Sequence, residues 1–470
     1  MDALQDCFPQ NLRRFLNELP ESLDETYERI LRAIKKTQKD DARRLLHCLA
    51  AAVRPLLVEE LAELLAFDFQ ASTSGGIPKL KEDWRWDNQE EAVLSICSSL
   101  ITIVHNGDSR VVQFSHFSVK EYLTSPRLAQ SHGDVSRFHI VLGAAHTIMA
   151  QACLGTLLRL DELASNSVEG SPLVRYAAKH WVDHTQFENV SSRVQDGIDD
   201  LFDTSKPHFA AWLEAHNIDK YWVHFSFRQQ EDFVGSPLYY AAFCGFHDLA
   251  ERLIMKHPEQ VNAAGGYNMA PLPAALYKRH FRVATLLFKH GAVVDVRADD
   301  EGTTLQTASA KGYLDIMQWL LSHGADANSQ DNYSWTPLHY AACHAHLEAV
   351  QVLLEHNAVV NSQNGAGDTP LYEAIFSVSS SPGKAGKAID IVRRLLEHGA
   401  DTNICNHSHS TPLHQASADG LLEVVRLLLS YGAIVDAMDG KGMTPFEVAS
   451  SSGHDEIAKL LLEHDAVPQT

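Results

Sequence analysis

A mostly α-helical chain, built over its carboxyl half as a solenoid of stacked two-helix units, is predicted by three observations. A short phrase recurs seven times with a period near 33 residues. An apolar stripe at helical spacing follows the phrase. The 470-residue length exceeds what one compact core accommodates unless the fold grows by stacking. The phrase runs Ser236-Pro237-Leu238-Tyr239, Ala270-Pro271-Leu272-Pro273, Thr303-Thr304-Leu305-Gln306 and Thr336-Pro337-Leu338-His339. It continues as Thr369-Pro370-Leu371-Tyr372, Thr411-Pro412-Leu413-His414 and Thr444-Pro445-Phe446-Glu447, with steps of 34, 33, 33, 33, 42 and 33.

The residue types fit a pair of short helices. Thr336 can cap the first helix, and Pro337 sits at the first helical position, where its missing N–H costs nothing. Leu338 points into the core, and the small Ala341 and Ala342 let paired helices approach closely. Gly312, Gly420 and Gly453, nine residues after their threonines, suit a sharp turn with positive φ. The second helix is an apolar stripe such as Val350, Val352, Leu353 and Leu354. It ends at Gly324-Ala325, Gly399-Ala400 or Gly432-Ala433, with glycine suited to the left-handed cap. Asn328, Asn361 and Asn403 open the hairpin leading to the next unit. This pattern resembles the ankyrin-repeat family, whose signature begins T-P-L-H-x-A. By that resemblance residues 236–470 are seven ankyrin repeats forming an α-solenoid.

Two departures carry expectations. The 42-residue step places about nine extra residues within Ser377-Val378-Ser379-Ser380-Ser381-Pro382-Gly383-Lys384-Ala385-Gly386-Lys387, whose composition predicts a loop between the two helices of repeat 5. Repeats 2 and 3 lack the full Thr-Pro pair, at Ala270 and Thr304, and are expected to be the least stable part of the stack.

Ahead of the repeats the pattern changes. Leu19 to Leu31 reads as a helix with Ser22 as its cap, and further helices are predicted over Asp41–Val53, Val58–Leu65 and Glu90–Leu100. Two β-rich runs follow, Ile101–Val104 and Val111–Phe114, flanking Asn106-Gly107, a strong hairpin signal. Helices followed by a hairpin predict an N-terminal winged-helix domain over residues 39–130. Residues 131–235 are expected to form a helical linker, and residues 1–38, by the family resemblance given below, a helical tail of the module ahead of the winged helix. The aromatics Trp181, Phe202, Trp212 and Trp222 are expected to pack that linker, which would cover the open apolar end of the first repeat.

Leu19 to Leu31, Phe114-Ser115-His116-Phe117-Ser118-Val119-Lys120-Glu121-Tyr122-Leu123, and Pro172 to Trp181 together resemble the fungal NACHT–ankyrin proteins of the STAND class, which are NLR-like. The resemblance implies a NACHT nucleoside-triphosphatase, then a winged helix of GPI inositol-deacylase type, a helical linker and ankyrin repeats. It further implies a sensor or adaptor role in signal transduction. The front departs from that pattern. The phosphate-loop motif G-x-x-x-x-G-K-[ST] is missing, and Gly383-Lys384-Ala385-Gly386-Lys387 has the wrong spacing for one. By the resemblance the chain would start just after the NTPase, as a truncated paralogue or an incomplete gene model. It carries no G-x-S-x-G elbow, so the deacylase name implies no lipase activity.

Composition narrows the function classes. A formal charge of −21 argues against a polyanionic partner. Glu90 to Leu100, the helix that would enter a DNA groove, has two acids, no base and no amide, and a DNA-binding regulator is a remote alternative. No apolar run is long enough for a membrane span, and the amino terminus lacks a signal-peptide block. Seven dispersed cysteines favour reduced thiols in a cytosolic compartment, so a cytoplasmic location is expected, with a nuclear one left open. The 26 histidines recur at helix ends and in the repeat phrase, and neither His344/His346 nor His407/His409 has zinc-ligand spacing to further donors. No enzymatic activity, cofactor, metal, nucleic acid or small-molecule substrate is therefore expected.

What remains is protein binding. Hairpin tips and outward positions of the first helices form the concave face of such a stack. The candidate partner-binding residues are Tyr240 and Phe243 in repeat 1, Tyr267 and Tyr277 in repeat 2, and Asn332, Tyr333, Trp335, Tyr340 and His344 in repeat 4. Glu373 in repeat 5 and Gln415 and Asp419 in repeat 6 extend the track. Aromatic side chains supply large contact area at low entropy cost. The expected function is a protein–protein interaction scaffold. The alternatives are the carboxyl part of a nucleotide-switched NACHT NTPase, the DNA-binding regulator, and a hydrolase for which no triad or metal constellation is present.

Overall fold

The computed structural model describes residues 22–69, 77–107, 109–131, 133–160, 171–216, 235–263, 265, 269–296, 302–380 and 385–465. The chain divides into two units, residues 1–229 and 230–470.

The first described helix of the first unit is α1 (Leu23–Ala33), capped by Ser22, whose hydroxyl accepts the Glu25 N–H at 3.2 Å. Helix α2 (Lys39–Ala51), strand β1 (Leu56–Leu57) and helix α3 (Val58–Leu65) come next. The short strands β2 (Phe67–Asp68) and β3 (Lys79–Leu80) pair with each other before helix α4 (Gln89–Cys97). Strands β4 (Ile101–Asn106) and β5 (Ser109–Phe114) form the predicted hairpin, with Asn106 opposite Ser109 and Gly107 at φ +59°. The sheet order β1–β5–β4 completes a winged helix. Helix α5 (Phe117–Thr124) returns to α1: the Tyr27 hydroxyl lies 2.7 Å from Ser118 Oγ, and its ring 5.5 Å from that of Tyr122. Two of the three sequence segments that carry the resemblance are thus in contact.

Buried carboxylates fasten this unit. Glu60, 1% exposed, receives both guanidinium arms of Arg54 (2.6 and 2.8 Å) and the Leu57 N–H (2.8 Å). Glu63, 3% exposed, accepts from Arg85 at 2.5 Å, the Ser171 hydroxyl at 3.0 Å and the Leu173 N–H at 3.2 Å. A buried ion is tolerated only with such full satisfaction. The linker just ahead of Val174 is thereby tied to the winged helix. Helix α6 (Leu142–Leu157), largely apolar and buried over its second half, packs against α2 and helix α7 (Val174–Thr185). Trp181, Phe202 and Trp212 form one cluster, with Trp181 edge-on to Trp212 at 5.3 Å and Phe202 5.7 Å from Trp212. Trp222 lies outside the described residues.

The second unit holds seven helix pairs among the described residues. First helices contact first helices and second helices contact second helices, in two rows. Each row is sparsest in helix contacts between repeats 2 and 3, where the threonine–proline phrase is degraded. The threonine caps form as expected: Thr303, Thr336, Thr411 and Thr444 each accept the N–H three residues on. Gly312, Gly420 and Gly453 take φ of +67°, +73° and +79°.

The repeat 5 insertion corrects one expectation. It does not form a free loop over Ser377–Lys387. The first helix runs on to Ser380 (Pro370–Ser380) and the second begins already at Ala385 (Ala385–Glu397). The added residues lengthen both helices, and the second helix accommodates Gly386 in its first turn.

The hairpin asparagines do more than open the turn. Asn328 accepts the Val359 N–H (2.7 Å) and donates to the Asn357 carbonyl (3.2 Å) of the next repeat. Asn262, Asn361 and Asn403 repeat this two-point grip on Gly291/Val293, Gly399/Asp401 and Gly432/Ile434. Repeat 2 has Asp295 instead. Its Oδ2 accepts the Asp326 N–H at 3.1 Å, while Oδ1 is buried without a hydrogen-bond partner. A second grip comes from the fourth residue of the phrase. His339 Nδ1 accepts the Thr336 N–H (3.1 Å), which leaves Nε2–H to donate to the Asp368 carbonyl (3.0 Å). His414 does the same with Thr411 and Met443. In repeat 3 an amide replaces the ring: Gln306 Oε1 accepts the Thr303 N–H, and Nε2 donates to the Ser329 and Trp335 carbonyls, both at 2.8 Å.

Two predictions follow from these grips. Burial holds His339 below its ordinary value, at about 4, so its neutral form stabilises the fold fully above the unfolded pKa of about 6.5, and that stabilisation is lost as pH falls toward 4. His339→Gln, which copies Gln306, leaves stability at pH 7.5 nearly unchanged and reduces the acid destabilisation between pH 7.5 and 4.5 by roughly 2 kcal/mol. Urea unfolding at both pH values checks this; equal losses in both proteins overturn it. Asp295→Asn supplies the missing N–H for the Gly324 carbonyl and raises stability by about 1 kcal/mol. A lowered urea midpoint would contradict that reading of Asp295.

Candidate protein-binding face of the repeats

The best-formed exposed cluster lies on repeat 4, and its backbone is set by Asp331. Asp331 Oδ1 accepts the N–H groups of Tyr333 and Trp335, both at 2.8 Å, and Oδ2 accepts the Tyr340 hydroxyl at 2.5 Å. The acceptor raises the Tyr340 phenol beyond what burial alone does. Ser334 closes the turn in the left-handed region at φ +58°. Trp335 and Tyr340 then pack with ring centroids 5.0 Å apart, while Tyr333 stands 70% exposed beside the exposed Asn332. His344, also exposed, caps the helix end through Nδ1 on the Tyr340 carbonyl at 3.0 Å.

The same scaffold recurs along the stack. Asp331, Asn364, Asn406 and Asp439 stand five residues before their threonines, and each accepts two backbone N–H groups of its own hairpin tip. Neighbouring tips are joined through main chain: Gly365 N–H to Tyr333 O (2.7 Å), His407 N–H to Ala366 O (3.0 Å) and Gly440 N–H to Ser408 O (2.8 Å). The hairpins therefore form one continuous border beside the first helices. On repeats 5 and 6 the Tyr372 hydroxyl donates to Gln415 Oε1 (2.9 Å), and Gln415 Nε2 donates to Asp419 Oδ2 (2.7 Å). Gln415 and Asp419 are half-buried.

Other expected site residues are placed differently. Tyr240 and Phe243 are not exposed positions: they are 3% and 8% accessible. The first helix of repeat 1, Pro237–Cys244, is apolar on every side and wholly buried. Both rings pack on Tyr239, and Lys278 Nζ lies 4.3 Å over the Phe243 ring. Glu373 is also buried, at 7%, where Asn364 Nδ2 donates to Oε1 at 3.0 Å. Tyr277 is half-buried in repeat 2, and Tyr267 lies outside the described residues. The structure brings together the repeat 4 residues and, separately, Gln415 with Asp419. Sequence reasoning missed Asp331, Asp368, Tyr372 and the 48% exposed Phe376. The Asx residue five places before Thr336, Thr369, Thr411 and Thr444 was the available signal for Asp331.

On the winged helix, Glu90 of α4 pairs with Arg110 of β5 at 3.0 Å, and Arg110 also pairs with Glu59. The outward positions of α4 and its cap are Asp87, Asn88, Glu91 and Ser95. The concavity lined by Ala62, Glu63, Arg85, Trp86, Gln89 and Pro172 encloses about 20 Å³, against the few hundred Å³ or more of a ligand cleft. Among the described residues, no three or more His, Cys, Asp or Glu converge as metal ligands, and no helix is long and apolar enough to cross a membrane.

Comparison with known proteins assigns both parts. Residues 27–135 match the winged helix domain of GPI inositol-deacylase, and residues 305–404 and 378–470 match ankyrin repeats. A curated relative, azaphilone pigments biosynthesis cluster protein L of Monascus ruber, is 32% identical over 291 residues, covering 58% of this chain. The chain spans about 60% of that relative's length. It carries ankyrin repeats, a kind of module that mediates protein–protein binding, behind a winged-helix domain of the GPI inositol-deacylase type.

Proposed function

We propose that the chain is a non-enzymatic scaffold whose concave ankyrin face captures a partner protein, as the sensor or adaptor portion of a STAND-type signalling system. The observation that carries this is the Tyr333–Trp335–Tyr340 arrangement. One buried carboxylate, that of Asp331, holds the backbone of Tyr333 and Trp335 and the hydroxyl of Tyr340 at the rim of the groove, with the Tyr333 side chain left to solvent. Preordered aromatics of this kind are suited to anchoring an interface, since little entropy remains to be lost on binding. A standard partner would cover roughly 800 Å² of the face.

The signalling role is supported by the order of parts and by the resemblance of Leu19–Leu31, Phe114–Leu123 and Pro172–Trp181 to NACHT–ankyrin proteins. The last of these segments begins where Glu63 ties the linker to the winged helix. The same resemblance favours a second reading, in which the chain is the carboxyl part of a nucleotide-switched NTPase. Upstream coding sequence for a phosphate loop would distinguish it. A DNA-reading winged helix is disfavoured by the acidic outward face of α4, which would repel phosphate.

Replacing Tyr333, Trp335 and Tyr340 together with Ala is expected to weaken capture of partner proteins by the full chain about tenfold or more, while the chain stays folded with a loss of a few kcal/mol in unfolding free energy from the packing of Tyr340 and its bond to Asp331. Affinity capture followed by mass spectrometry reads this. An unchanged partner profile from a folded variant places the binding face elsewhere.

A further inference from the structure

We infer that the concave face of repeats 4 to 6 takes a basic polypeptide segment, with lysine or arginine side chains seated between the aromatic rim of Tyr333, Trp335 and Tyr340 and the carboxylates of Asp368, Glu373 and Asp419. The inference rests on the reading of this face as the binding surface and adds the chemistry of its partner.

Charge is the first support. From Lys311 to Lys384 the chain has no intervening Lys or Arg, while Asp326, Asp331, Glu348, Glu355, Asp368 and Glu373 fall in that interval, besides Asp315, which pairs with Arg279. A folded surface ordinarily mixes both signs, and a one-signed stretch over two repeats leaves a field for an opposite partner.

Geometry is the second. Asp368 accepts Asn406 Nδ2 at 2.9 Å, Glu373 accepts Asn364 Nδ2 at 3.0 Å, and Asp419 accepts Gln415 Nε2 at 2.7 Å. Neutral amides thus orient all three carboxylates, and among the described residues none is paired with a Lys or Arg. Burial, and then the charge of Asp368, push the Glu373 carboxyl up to about 7. The Cys343 thiol beside it is also driven up, to about 11, and supplies no countercharge. A guanidinium or ammonium would relieve this repulsion and gain the aromatic faces at the same time. First helices of adjacent repeats stand about 8–10 Å apart, so three of them span roughly 20 Å, the length of about six extended residues.

The test is selection from a phage-displayed random heptapeptide library on the full chain, followed by binding of the enriched peptides, made synthetically, to purified variants. Enriched peptides are expected to carry two or more Lys or Arg. Glu373→Gln with Asp419→Asn, which keeps the amide-accepting oxygens, should weaken them about tenfold. Glu348→Gln with Glu355→Gln makes the same charge change on the second helix of repeat 4 and should leave binding within about twofold. Equal weakening by both pairs would reduce the effect to the overall charge of the chain and overturn the inference. Neutral or acidic peptides that bind and are lost on Tyr333, Trp335 and Tyr340 replacement would overturn the partner chemistry alone, leaving the face intact. Peptides indifferent to that aromatic replacement would overturn both readings.

Discussion

Each repeat holds its successor by side-chain hydrogen bonds to main chain, and the rest of the second unit depends on that. A two-helix unit cannot bury its apolar side alone, so stacking provides the bulk of the stability. Apolar contact, however, does not specify a rotation or a rise. The asparagine grip on one carbonyl and one N–H, together with the histidine or glutamine bond to the residue before the next threonine, defines both. The hairpin tips can then meet in register, which is why the Asx-held border is continuous and the aromatics of repeat 4 project from a fixed rim.

Much of this was readable from residues alone. The 33-residue phrase gave the repeats, Thr336-Pro337 the cap, and Asn106-Gly107 the hairpin, because each is a local rule acting through neighbouring residues. Long-range effects were not readable. Phe243 occupies a position that is open elsewhere in the stack, as at the exposed Phe376, yet the wholly apolar Pro237–Cys244 helix takes it and Tyr240 inward. Glu373 looked like a surface acid until Asn364 and Cys343 enclosed it. The insertion in repeat 5 was judged from Ser, Gly and Pro content, whereas serine and alanine at a helix end simply extend it. The grips themselves were hidden because their partners are backbone groups some 30 residues away, which no side-chain pattern reveals.

The first unit uses a different strategy. Its helices are joined by buried carboxylates, each saturated by an arginine and backbone or hydroxyl donors, rather than by periodic repetition. Such sites are expensive to leave half-made. Glu63 contacts Arg85 from the connection before α4 and Ser171 and Leu173 from the linker, so the winged helix and the start of α7 are ordered together.

The main-chain nature of the repeat-to-repeat grip also bears on how such a stack changes over generations. A carbonyl and an N–H are present whatever side chains a neighbour carries, so unequal exchange that gains or drops a whole 33-residue module leaves every remaining asparagine something to hold. Modules bearing new rim residues can be shuffled in without redesigning the joints, and the arrangement that makes the solenoid rigid is the one that makes its recognition surface replaceable.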